Sequence, residues 1–148
     1  MLEPDEIIDQ NRIENIRLES INKFGVIYHS RVTNKISTCI VEKILKGSVG
    51  EGITYPQLVN DAAMPSWIAY QGLFGHVLAL VSLQSYEADK LLLSVFANRT
   101  ADVQPPSEGF CTFLQELGLV VSTSNREECL ELWDYHWKKA VTHYESMS

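Results

Sequence analysis

Three cysteines, four histidines and one polar loop are the places where this chain could do chemistry. Cys111 follows Glu108-Gly109 at the expected start of a short helix. A helix N-terminus can lower a thiol pKa and make the sulfur nucleophilic. Its base would be His76 or His136, brought in by the fold; the alternative is a structural cysteine packed beside Phe110 and Phe113. His136 and His143 share one helix face at a spacing of seven, which sets them about 10 Å apart, too far to bind one metal ion. No histidine pairs with Cys or a carboxylate at a ligand spacing, so neither metal nor cofactor is expected. Arg99 and Glu108 bracket a loop that contains Pro105-Pro106. Polar loops held by rigid elements concentrate binding residues, so this pair either grips a ligand or closes on itself as an ion pair.

Aromatic and basic side chains offer two further surfaces. Trp67, Tyr70, Trp133 and Trp137 recur at helical spacing and either fill the core or line an aromatic pocket. Tyr55, Trp67, Tyr70, Gln71, Arg99 and Glu108 are therefore the candidate residues for a ligand or partner. Lys35, Lys43 and Lys46, with Tyr55, are the candidates for a nucleic-acid face. The charge is uneven enough to allow one: residues 1–22 carry six acids and two bases, while residues 23–46 carry five bases against Glu42 alone.

The whole chain of 148 residues nevertheless carries a net charge of −7, which argues against a generic nucleic-acid binder. Apolar content of 45% and charged content of 21% fit one globular domain with a real core. The cysteines are odd in number and widely spaced, and the N-terminus is acidic without an apolar leader. Reduced thiols in a cytoplasmic protein are the expectation. Residues 62–86 hold no charged side chain, but Pro65, Gln71, His76, Gln84 and the glycines speak against a membrane span.

That uncharged stretch is the element around which the rest is expected to pack. Residues 66–82 read as one helix, apolar nearly all round, with Gly72, Gly75, Ala79 and Ser82 as a flat stripe. Two glycines cost roughly 1 kcal/mol each against alanine, so a neighbouring backbone is expected to touch that stripe. Before it come a first helix over 5–23 with Ile13, Ile16 and Ile21 inward, and a brief strand at 26–28. A second helix over 31–46 follows, its face Val32, Ile36, Ile40 and Ile44, ended by Gly47. Thr54-Tyr-Pro-Gln57 is a capping box opening a short helix over 56–63. After the central helix, residues 91–97 are the strand candidate and 119–121 a second one. A short helix over 110–117 stops at Gly118. Ser124-Asn-Arg-Glu127 opens the last helix, with Leu130, Trp133, Trp137, Val141 and Tyr144 inward.

The order of a helix, Gly-x-x-x-x-Gly-Ile53-Thr54-Tyr55-Pro56-Gln57-Leu58, the helix carrying Gly72 and Gly75, and the apolar run Leu91 to Val95 resembles a known layout. It is similar to the winged-helix DNA-binding domain of alkylguanine-DNA alkyltransferases and alkyltransferase-like proteins, over about residues 40–118. Tyr55 matches a residue which that family uses near a phosphate. The family's Pro-Cys-His-Arg run has no counterpart in 91–95, and 66–82 holds no basic residue. The resemblance thus implies a layout and not alkyl transfer. In general style the chain also resembles bacterial proteins carried on mobile elements.

The expectation is a mainly α (α+β) domain spanning residues 1–148: a helical bundle around a buried central helix with a small β-ribbon, helix-turn-helix or winged-helix-like. It is expected to work by binding, not catalysis, to a protein partner or to itself. The alternatives are nucleic acid on the lysine face, or a small ligand or thiol chemistry around residues 98–111.

Overall fold

A computed structural model describes residues 8–24, 29–50, 52–69, 73–98, 106–120 and 122–147. The expected strand at 26–28 lies outside them. The protein is mainly helical, with a two-stranded parallel sheet. Helix α1 (Gln10–Phe24) starts where the Asp9 carboxylate accepts the Asn11 amide at 2.9 Å. It buries Ile13, Ile16 and Ser20 and lies mostly along α4. Helix α2 (His29–Leu45) buries Val32, Ile36, Ile40 and Ile44, as the four-residue repeat predicts. Gly47, at φ +67°, ends it, with Ser48 N–H on Lys43 O at 2.9 Å.

Strand β1 (Ile53–Thr54) leads into α3 (Tyr55–Asp61), and the Thr54 hydroxyl caps that helix by accepting the Gln57 amide at 3.3 Å. A 3-10 turn (Ser66–Ala69) precedes α4 (Leu73–Asp89). The single helix expected over 66–82 is thus corrected: Pro65 is followed by a tight turn, and the helix proper runs seven residues further, to Asp89. It is central as expected, with α1 and α2 against it and Phe74, Val77, Val81 and Leu83 fully buried. The expected close backbone contact on its glycines is absent at Gly75, which is exposed and whose notional Cβ meets nothing within 4 Å.

The strand expected over 91–97 is also corrected. Leu93–Phe96 is a 3-10 turn, and only Ala97–Asn98 (β2) is extended, paired parallel with β1 as Ile53 to Ala97 and Thr54 to Asn98. The reason lies in side chains of α4. Ser94 N–H donates to Ser82 Oγ at 3.0 Å, Ser85 Oγ donates to Leu91 O at 2.6 Å, and Leu93 N–H donates to Ser85 Oγ at 3.3 Å. Leu92 N–H donates to His136 Nδ1 at 3.3 Å. Backbone groups that a sheet would satisfy are taken by two serines and a histidine, so the buried run needs no neighbouring strand. Residues 119–120 form no strand either; Leu119 N–H closes the preceding helix on Leu114 O at 2.9 Å.

Helix α5 (Glu108–Glu116) is capped by Ser107, whose hydroxyl accepts the Phe110 amide at 3.2 Å, and ends at Gly118, φ +80°. Helix α6 (Arg126–Glu145) is capped by Asn125, one residue later than the expected box: Asn125 Oδ1 accepts the Glu128 backbone N–H at 3.3 Å, and Asn125 Nδ2 donates to the Glu128 carboxylate at 3.0 Å. Its buried face is Cys129, Leu132, His136 and Ala140. The expected stripe is therefore offset by one position: Leu130 is exposed, and Trp133 and Trp137 are half-buried, Trp137 4.4 Å from the Phe96 ring and Trp133 4.9 Å from that of Trp137. Among the described residues no helix is long and apolar enough to cross a membrane.

Candidate functional site

The exposed Gly75 opens a cleft of about 700 Å³ between α1, α4 and α5. Gly75 and Ala79 form its α4 wall; Gly109 faces them from α5, with only the Tyr55 hydroxyl, 3.7 Å from a notional Cβ, beside it. Small residues on both walls leave a trough where larger ones would interlock. Tyr55, the first residue of α3, closes one end and leans on Phe74 with ring centroids 4.8 Å apart. A narrow extension of about 50 Å³ runs inward past Leu78 to Ser94 and Ala97. The main cleft has the size of an ordinary ligand site.

Among the described residues its carboxylates are three. Glu19 on α1 and Glu108 and Glu116 on α5 all line it. Partial desolvation, first, and the neighbouring Glu19, second, raise the Glu116 carboxyl above its ordinary value, while His76 pulls it back. A cation in the trough would relieve the repulsion between Glu116 and Glu19. His76 Nδ1 and Ser20 Oγ are 3.3 Å apart. That pairing is reminiscent of a nucleophile and its base, but Ser20, though it lines the cleft, is only 2% exposed, and its hydroxyl is spent on orienting the imidazole. The Thr112 hydroxyl is likewise taken, donating to Glu108 O at 3.0 Å. Among the described residues no group of three His, Cys, Asp or Glu is arranged to hold a metal ion. A second, more open depression of about 490 Å³ between α1, α2 and α4 has Arg17 and Glu87 on its rim, already paired to each other.

Of the residues singled out from sequence, Tyr55, His76 and Glu108 come together in the cleft. Tyr70, Gln71 and Arg99 lie outside the described residues, as does the side chain of Trp67. The lysines do not gather around Tyr55. Lys43 is bound to Asp61 at 2.7 Å, a hydrogen bond that raises its pKa, and Lys35 borders a separate shallow depression beside Glu42 and Asp61. Lys46 sits exposed in the turn after α2. Cys111 is 1% exposed, with Arg126 as its charged neighbour. Sequence reasoning missed Glu19, Ser20, Gly75 and Glu116. Of these only Gly75 carried a signal, an unexplained glycine inside a helix, and it was read as a contact when it is a gap. No known protein family, curated protein or solved structure matches the chain.

Proposed function

We propose that the chain is a non-enzymatic binding protein of the cytoplasm, and that its cleft takes a basic, partly apolar segment of a partner protein. The observation that carries this is that Glu19, Glu108 and Glu116 all line a trough walled by Gly75 and Ala79, with Phe113 as an apolar surface. A lysine or arginine side chain offers the matching form, an apolar stem with a cationic head. The narrow walls let an extended backbone approach both helices. The overall charge of −7 would steer such a partner inward. Three free thiols suit a reducing compartment.

The test is an NMR titration of the labelled protein with N-acetyl-arginine amide and N-acetyl-lysine amide, with N-acetyl-glutamate amide as control. The expected result is selective shifts at Gly75, Gly109 and Glu116 for the basic probes, weakening with added salt. No response at millimolar probe, or an equal response to the acidic control, overturns the proposal.

A further inference from the structure

Cys111 and Cys129 stand at equivalent places in their helices, each one turn in from the N-terminus of α5 and of α6. The two helices pack on each other there, and both thiols are buried, at 1% and 0% exposure. Arg126, which reaches Cys111 Sγ, stands one turn before Cys129 on the same helix, so the two thiols share one buried seam, where Cys111 helps raise the Cys129 thiol. Arg126 sits at the surface, yet its Nη1 lies 4.0 Å from Cys111 Sγ and its Nη2 donates to Pro106 O at 2.8 Å. Cys111 therefore lies one side chain beneath solvent, next to a fixed positive charge. Cys39, on α2, has no such thiol partner among the described residues.

We propose that Cys111 and Cys129 form a peroxide-sensitive pair that closes into a disulfide between α5 and α6. The proposal is independent of the cleft's ligand. Cys111 is the attacking thiol. Its sulfur, as thiolate, displaces hydroxide from hydrogen peroxide, giving the sulfenic acid, with the guanidinium of Arg126 stabilising the negative charge on the entering sulfur. Cys129 then attacks the sulfenic sulfur, the S–S bond forms, and the sulfenic oxygen leaves as water. Overall two thiols and one hydrogen peroxide give one disulfide and two waters; each sulfur loses one electron and the peroxide gains two. Burial first, and then the neighbouring Cys111, push the Cys129 thiol up to about 12, so it stays protonated and leaves the attack on peroxide to Cys111; it gives up its proton as it attacks the sulfenic sulfur. The amide-rich helix N-termini beside both sulfurs favour the anionic stages of both steps.

The experiment treats the native protein with hydrogen peroxide, quenches it, alkylates under denaturing conditions, and maps the peptides without reduction. The expected product joins the Cys111 and Cys129 peptides, is lighter by about 2 Da than the two free thiols, and reverts with dithiothreitol. Cys39 stays alkylatable. In Cys129→Ser the sulfenic acid at Cys111 persists and is trapped by dimedone, while in Cys111→Ser Cys129 stays a free thiol. Arg126→Gln slows disulfide formation severalfold. Three thiols still alkylatable in treated wild type, or a disulfide that involves Cys39, would overturn the proposal without recourse to any variant.

Discussion

Ser82 Oγ donates to Ser94 Oγ at 2.7 Å and accepts the Ser94 amide at 3.0 Å, so one buried hydroxyl on α4 holds both the hydroxyl and the amide of a residue twelve positions later. Ser82 is fully buried. Its replacement by alanine strands the Ser94 amide away from water, and an unsatisfied buried donor costs about 1–3 kcal/mol. Ser82→Ala is expected to lower unfolding stability by that amount in urea titrations, with an unchanged helical circular dichroism spectrum. A change under a few tenths of a kcal/mol would mean that the turn over residues 93–96 is not held this way.

Gly75→Ala should stabilise the protein. The new methyl meets nothing within 4 Å, and alanine in a helix interior gains roughly 0.5–1 kcal/mol over glycine. Gly75→Phe should instead fill the trough, leaving the fold intact and abolishing the shifts caused by N-acetyl-arginine amide. A destabilised alanine variant would show that α4 and α5 close on each other in solution.

Glu116 gives a pH signature. Its folded pKa is raised above the ordinary 4.5, so the folded protein binds the proton more tightly than the unfolded chain does. Stability therefore falls as pH rises from the unfolded value through the folded one, and the loss is complete above it. Glu116→Gln removes that loss. The variant is expected to melt above wild type at neutral pH, and the gap should close as pH falls below 4.5, where both states of the wild-type carboxyl are protonated. The same variant should weaken binding of the basic probes. A gap that widens on acidification would contradict the crowding of carboxylates in the cleft.

Ala63 ends α3 in the left-handed region, at φ +57°, with Met64 N–H on Val59 O at 3.0 Å. An L-residue spends about 1–2 kcal/mol there. Glycine relieves that strain but loses about 0.4–1 kcal/mol through the freedom it adds to the unfolded chain. Ala63→Gly should thus gain roughly 0.5–1 kcal/mol. Thermal unfolding reads this directly, and a loss would show that the alanine methyl is packed.

Local rules served well where one element's own residues settle its fate. The Val32, Ile36, Ile40, Ile44 repeat with Gly47 beyond it, and Thr54 before Gln57, needed no knowledge of neighbours. Residues 91–97 failed because their backbone partners are side chains of α4 and α6, invisible to any periodicity within the run. On α6 the tryptophans outweighed their neighbours as markers of the inward face. In fact the smaller Ala140 and the hydrogen-bonded His136 are what let that helix sit close, with the indoles at its flank. The cleft was legible only at Tyr55, His76 and Glu108. Glu19 and Glu116, taken singly, read as solvated helix positions, and they acquire meaning when three helices bring them to one trough.

The pairing of Ile53 with Ala97 has a kinetic side. Two residues of ladder repay very little of the entropy lost in bringing such distant parts of the chain together. The seam therefore follows the helices in folding and lets go before them when the molecule breathes. Since Tyr55 begins directly after Thr54, any opening of that seam would also move the aromatic ring at the end of the trough.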